Sequence, residues 1–241
     1  MPFMFHFSIE SRAMLNDDEQ GNRPTPQVWI MGRSVLLIAT LSWGIVSPSM
    51  ADEIEAEVLL RGGQVIDGSG SPARAADIAI VDGKIELPKT TDKVTAPWTI
   101  DCSGLVICPG FIDLHNHSDG EVEEPETRAA MNYVTQGCTT MVTGNCGSGP
   151  IKVGEYYDKI DAHGAGTNIA HLIPQGGLRK AVLDSERVEP TDAQMREMRQ
   201  IADAGMREGA WGMSTGLIYV PSSFASTEEI TEIASVVAKH G

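Results

Sequence analysis

The chain has 241 residues, with 18 Lys and Arg against 33 Asp and Glu, and a net charge of −15 at pH 7. So acidic a surface repels phosphate backbones and offers no basic stripe with interleaved aromatics, which argues against nucleic acid as a partner. Solubility is what charge of this size serves.

Residues 1–51 read as sorting information. Segment 1–30 is polar and patternless, and Met31 stands where a signal sequence would begin. Arg33 precedes an apolar run from Val35 to Val46, and Ser49-Met50-Ala51 then supplies small residues at the two positions a signal peptidase inspects. Crossing a bilayer takes about 20 apolar residues. This run is shorter and is broken by Ser42 and Gly44, so no permanent membrane span is expected. Cleavage near Ala51 would release an exported chain, periplasmic or secreted. It would remove three basic and four acidic residues and leave a net charge of −14.

Residues 52–108 predict a small β subdomain. Val58-Leu59-Leu60, Val65-Ile66, Ile78-Ala79-Ile80-Val81 and Leu105-Val106-Ile107 are short apolar runs separated by Gly, Asp, Ser and Pro. Asp82-Gly83 between two such runs suits a type I′ hairpin turn.

Residues 109–241 alternate strand-like with helix-like segments. The strands are expected at Phe111 to His117, Cys138 to Cys146, Asn168 to Gln175 and Trp211 to Leu217. The helices are expected at Glu126 to Gln136, Glu155 to Ala162, Thr191 to Glu208 and Thr227 to His240. Thr191 with Gln194, and Ser226 with Glu229, have capping-box spacing. Such βα repetition implies an α/β fold with a parallel sheet. A closed eight-unit barrel takes about 250 residues, whereas these 133 hold four units. The expected architecture is therefore a partial, TIM-like βα barrel, its amino-terminal half, behind the β subdomain.

The sharpest chemical feature is Phe111-Ile112-Asp113-Leu114-His115-Asn116-His117. Alternation along a strand points His115 and His117 the same way, with Cα atoms about 6.6 Å apart, near enough for one metal ion; Asp113 shares that face. Active sites of βα barrels lie at the carboxyl ends of the strands, where this pair falls. A pair of solvated loop histidines is the plainer alternative, because a zinc site needs three or four ligands and only two are local. Cys146, ending the second strand in Gly144-Asn145-Cys146-Gly147, is the best further candidate.

Four cysteines in an exported chain raise the question of disulfides. Eight residues of extended strand between Cys138 and Cys146 span about 26 Å, beyond the roughly 7 Å that a disulfide tolerates. Cys138 reads as a small buried apolar residue, and Cys102 and Cys108 stay open. His163, His171 and His240 are assigned structural roles, since none stands at the carboxyl end of a strand. The acidic run Asp119, Glu121, Glu123, Glu124 and Glu126 reads as a solvated loop before a helix amino terminus.

His115-Asn116-His117, Gly144-Asn145-Cys146-Gly147, and Gly212-Met213-Ser214-Thr215-Gly216-Leu217-Ile218-Tyr219 with Ser226-Thr227-Glu228-Glu229-Ile230 together resemble the N-acyl-D-amino-acid deacylases of the amidohydrolase superfamily. The resemblance implies a small β-sandwich beside a distorted βα barrel and a Zn2+ site. There a cysteine, matched by Cys146, replaces the carboxylated lysine of many relatives. His115 and His117 match the paired ligands of the first strand, and Tyr219 matches a tyrosine facing an N-acyl-D-amino acid substrate. An aromatic packed beside Pro221 is the alternative for Tyr219. The family's catalytic aspartate and two further metal histidines would lie beyond Gly241, so a missing carboxyl-terminal half is expected to complete the site. Pro174-Gln175-Gly176-Gly177-Leu178-Arg179 departs from the family's Gly-His pair before Thr-Leu-Arg, which leaves side-chain and acyl preference open. A cyclic amidase or dihydroorotase-like hydrolase is a second reading, opposed by Cys146 where such enzymes supply a lysine. A non-catalytic exported fragment is the third.

Overall fold

A computed structural model describes residues 52–241 of the chain; the expected signal peptide lies outside the described residues. Two compact units divide them, one comprising 52–65 and 72–107, the other 66–71 and 108–241.

In the first unit, β1 (Glu53–Glu55) pairs in parallel with β5 (Lys93–Thr95). The centre of the larger sheet is β2 (Val58–Val65), antiparallel to β3 (Arg74–Val81). On its other side β2 runs parallel to β6 (Trp98–Asp101) and β7 (Val106–Ile107), and β4 (Lys84–Glu86) closes the far edge on β3. Asp82 and Gly83 join β3 to β4 with φ of 50° and 69°, the positive pair that a type I′ turn demands. Val58, Val65, Ile78 and Ile80 form the core of this sheet.

The second unit carries the histidine pair and Cys146. Its strands are β8 (Phe111–Asp113), β9 (Cys138–Thr143), β10 (Asn168–His171), β11 (Ile173–Pro174) and β12 (Met213–Ser214). Its helices are α1 (Met131–Val134), α2 (Val153–His163), α3 (Gln175–Leu183), α4 (Asp192–Arg207) and α5 (Thr227–Val237). β8, β9 and β10 pair in parallel. At Leu172 the chain changes neighbour. The Leu172 N–H still donates to Thr143 of β9, but the Ile173 N–H donates to Gly212, and β11 pairs in parallel with β12. β8, β9 and β10 therefore lie side by side in chain order, and β11 and β12 form a separate two-stranded sheet that the chain enters directly after β10.

The expected strands are shorter than their apolar patterns. Phe111 to His117 leaves the ladder after Asp113, and Cys138 to Cys146 ends at Thr143 because Gly144-Asn145-Cys146-Gly147 folds into a 3₁₀ turn. Asn168 to Gln175 stops at Pro174, where α3 begins; no helix was expected there. Two glycines in its first turn and the absence of a capping side chain hide α3 from a propensity argument. The helix expected over Glu126 to Gln136 shrinks to α1, because Ala130 enters the left-handed region at φ 46°.

Capping is half as predicted. Thr191 and Gln194 make the reciprocal box that starts α4. At α5 the Ser226 Oγ accepts the N–H of Glu229, but the Glu229 carboxylate turns inward to an ion pair with Arg179 and takes a hydrogen bond from Gln175 Nε2 at 2.8 Å. Arg179 and Glu229 are almost wholly buried, at 0 and 2% exposure. They bind α3 to α5 beside a core of Ile173, Leu178, Met198 and Ile233. Burial pushes the Glu229 carboxyl up, against the pull of Arg179 and Gln175.

Removing one partner of a buried pair strands the other charge. Glu229→Ala is expected to lower the unfolding free energy by about 3–5 kcal/mol, measured by urea denaturation. The double substitution Arg179→Met with Glu229→Leu should recover most of that loss.

Candidate metal centre

The site grows from the ends of β8 and β9. Asp113 Oδ1 accepts the N–H of His115 at 3.0 Å, which bends the chain out of the ladder, so Asp113 serves this turn. Alternation persists beyond it. Asn116 is buried, while His115 and His117 stand exposed on the other side, their ring centroids 5.5 Å apart at 68°. Asn116 Nδ2 donates to the Val142 carbonyl of β9 at 3.1 Å. Asn145 Nδ2 donates to the same carbonyl at 2.7 Å and to the Asn116 carbonyl at 3.3 Å. The two asparagines thus lock the histidine segment to the cysteine turn, and each is the residue beside a predicted ligand.

Cys146 has φ 54° and ψ 29°, a left-handed conformation costing a side chain with a Cβ about 1–3 kcal/mol. Its Sγ lies 3.3 Å from His115 Nε2. The ligand atoms of His115, His117 and Cys146 all fall within 4.8 Å of one another, and no other such cluster occurs among the described residues. All four cysteines are free: Cys102 buried, Cys108 exposed, Cys138 and Cys146 partly buried. Cys138 is thus less enclosed than its expected role as a buried residue.

A pocket of about 510 Å3 opens over this cluster, lined by His117, Cys146, Gly147, Gly176, Lys180 and Tyr219 among others. Gly147 and Gly176, both in its lining, approach each other closely. A Cβ at Gly147 would lie 2.9 Å from Ser222 Oγ and 3.0 Å from the Gly216 nitrogen. Tyr219 is 58% exposed and lines this pocket together with Val220 and Pro221. Lys180 was not singled out in the sequence, because nothing local marks a lysine in a helix as facing a pocket.

His171 and His240 take structural positions. His240 Nε2 lies 2.9 Å from Asp203 Oδ1, tying the end of α5 to α4. His171 is wholly buried against Tyr156, ring centroids 4.8 Å apart. Its Nε2 lies 2.8 Å from the Pro150 carbonyl, which can only accept, so Nε2 carries the proton. Nδ1 then accepts from the Thr143 hydroxyl at 2.8 Å. The acidic run is not uniformly solvated. Asp119 turns inward, its Oδ1 accepting the Gly144 N–H at 2.5 Å, and Glu123 pairs with Lys159 at 2.7 Å.

Burial holds His171 below the usual histidine range, despite the carbonyl of Pro150 and the nearby Asp119. Above the unfolded value of about 6.5 both states are neutral at this position and stability is flat. Below it the unfolded chain takes up a proton that the folded chain resists, so the fold weakens as pH falls. Urea midpoints between pH 7 and 5 should decline in the wild type. His171→Asn, weaker at pH 7, should show a shallower decline.

The sequence profile of the amidohydrolase family matches residues 99–240, and the chain belongs to that family. It is 34% identical over 216 residues to a D-aminoacylase of Alcaligenes xylosoxydans xylosoxydans, covering 80% of this chain and 44% of the relative. Among solved structures it resembles the N-acyl-D-glutamate deacylase of Bordetella bronchiseptica, complexed with zinc and a phosphonate mimic of the tetrahedral intermediate. That match has a TM-score of 0.71 at 30% identity and covers 77% of this chain and 44% of the other. A D-aminoacylase structure described for its binuclear metal centre, with one-metal activation and second-metal attenuation, matches with a TM-score of 0.72 at 32% identity over the same shares. The chain thus spans less than half the length of these relatives. The likeness to N-acyl-D-amino-acid deacylases reaches across most of the described residues.

Proposed function

We propose that this chain supplies the first half of the active site of an exported, zinc-dependent hydrolase that splits N-acyl-D-amino acids into a carboxylate and a D-amino acid. The observation that carries the reading is the convergence of His115, His117 and Cys146. Zinc bonds of about 2.0–2.3 Å in tetrahedral geometry place donors about 3.3–3.6 Å apart. The 3.3 Å from His115 Nε2 to Cys146 Sγ falls in that range, and the three donor atoms together lie within 4.8 Å of one another. Two imidazoles and a thiol form a donor set suited to zinc, whereas calcium and magnesium favour oxygen.

When bound, zinc supplies Lewis acidity and brings the acidity of a water towards pH 7. The chain's own residues do the rest of the local work. His115, His117 and Cys146 would hold the ion beside the pocket that His117 and Cys146 line. Tyr219 offers a phenol hydroxyl to the substrate from the rim, and the glycines at 147 and 176 let the segments that line the pocket pack against one another and against Ser222. The remaining ligands and the acid that protonates the leaving nitrogen are assigned to a carboxyl-terminal half, corresponding to the part of the relatives that this chain does not span.

On this reading residues 52–108 are the small β-sandwich, and residues 109–241 are four βα units of a TIM-like barrel. Exposed Phe111 and Ile112 on β8, together with Leu217 and Ile218 after β12, support further strands at both edges. Among the described residues no helix is long and apolar enough to cross a membrane, and export rests on the leader alone.

The test is the whole protein loaded with zinc. It should release D-amino acids from N-acyl-D-amino acids and leave the L-isomers untouched. Cys146→Ala should cost at least about 100-fold in zinc affinity, measured by chelator competition, and abolish turnover. A zinc-loaded protein that cleaves no member of an N-acyl-D-amino acid panel would refute the reading. Amino-terminal sequencing of the exported protein should begin at Asp52.

A further inference from the structure

We propose that Ser214 is a positioning residue for the metal site, its hydroxyl clamping both ends of the turn that carries Cys146. The hydroxyl is offered from β12, which pairs with β11 and not with β9. Ser214 Oγ accepts the N–H of Gly147 at 2.9 Å and donates to the carbonyl of Gly144. Gly144 and Gly147 bracket the turn, so one hydroxyl closes a ring around the residue whose φ is 54°.

The turn does little of this for itself. No side chain caps it, and its own backbone bond runs from the Ser148 N–H to the Asn145 carbonyl at 3.1 Å. Left-handed backbone is unfavourable for a cysteine and persists only where the surroundings impose it. Rotation of Cys146 to ordinary helical or extended torsions would swing Sγ out of its 3.3 Å approach to His115 Nε2.

The segment after Ser214 reinforces the clamp. A Cβ at Gly216 would overlap the Cys146 carbonyl, so the chain beyond β12 lies flat against the turn. Glycines let the two backbones touch, and the serine hydroxyl, half-buried between them, sets the torsion. Groups behind a metal ligand that fix its orientation commonly govern affinity by 10–100-fold. The clamp stands on hydrogen bonds alone; its importance for function rests on the proposed role of Cys146 as a ligand.

The experiment compares Ser214→Ala with wild type in the whole protein by two readouts. The first is peptide-resolved alkylation of Cys146 by iodoacetamide in metal-free protein, with Cys138 as internal reference. The second is cobalt(II) titration, following the sulfur-to-cobalt absorption. Ser214→Ala should speed Cys146 alkylation about tenfold and weaken cobalt binding about 10–100-fold, with loss of the sulfur band. Ser214→Thr, which keeps the hydroxyl, should restore both.

Ile233→Val, a loss of core packing in α5, serves as the stability control and should lower the melting temperature without either change. Should Ser214→Ala not fold, Ser214→Cys keeps the volume, weakens both hydrogen bonds and takes its place. Unchanged alkylation and unchanged cobalt affinity in the variant would overturn the clamp. A wild type that binds no cobalt would instead defeat the metal reading, while the alkylation comparison still decides the role of Ser214.

Discussion

A thiol held at positive φ on a four-residue turn, 3.3 Å from an imidazole of the neighbouring strand, is the constraint around which the second unit is arranged. A cysteine does not choose that torsion, so the surroundings must over-determine it. Asn145 and Asn116 do so from the β8 side, through a shared carbonyl at Val142. Ser214 does so from the β12 side, and Asp119 takes the Gly144 N–H. Glycines at 147, 176 and 216 then allow three segments to approach at backbone distance.

That arrangement needs the strand ends at fixed heights, and the packing beneath provides them. Met141 and Tyr156 fill the space between β9 and α2, and His171 joins β10 to the loop at Pro150. On the far side, the buried Arg179 and Glu229 pair binds α3, whose first turn lines the pocket, to α5. A buried ion pair is a costly way to join two helices compared with apolar packing. It is directional, however, and it holds α3 in place although its first turn contains two glycines and lacks a side-chain cap. Stability and site geometry are therefore carried by the same contacts.

Much of the candidate site was legible because the relevant physics is local. Two histidines spaced by one residue face the same way while the backbone stays extended, and His115 and His117 do meet, their rings 5.5 Å apart, although β8 ends at Asp113. Distance along an extended segment kept Cys138 from Cys146, and both thiols are free. The Asp82-Gly83 turn and the Thr191 cap follow from torsional preference and spacing alone. What escaped was non-local. The helix α3 forms over a sequence of poor propensity because Arg179 and Leu178 are buried against other helices.

The same division separates Glu229 in the capping pattern from Glu229 in the structure. Spacing placed it to return a hydrogen bond to Ser226, and a buried guanidinium fifty residues away claimed its carboxylate instead. By itself the amino-acid order determined the alternation of strand and helix, the facing of the histidine pair and the turns where glycine is required. Each of these depends on neighbours within a few residues. Only the tertiary structure decided that Cys146 would reach His115, that Ser214 would brace its turn and that α3 would exist, because those outcomes depend on groups that packing alone brings together.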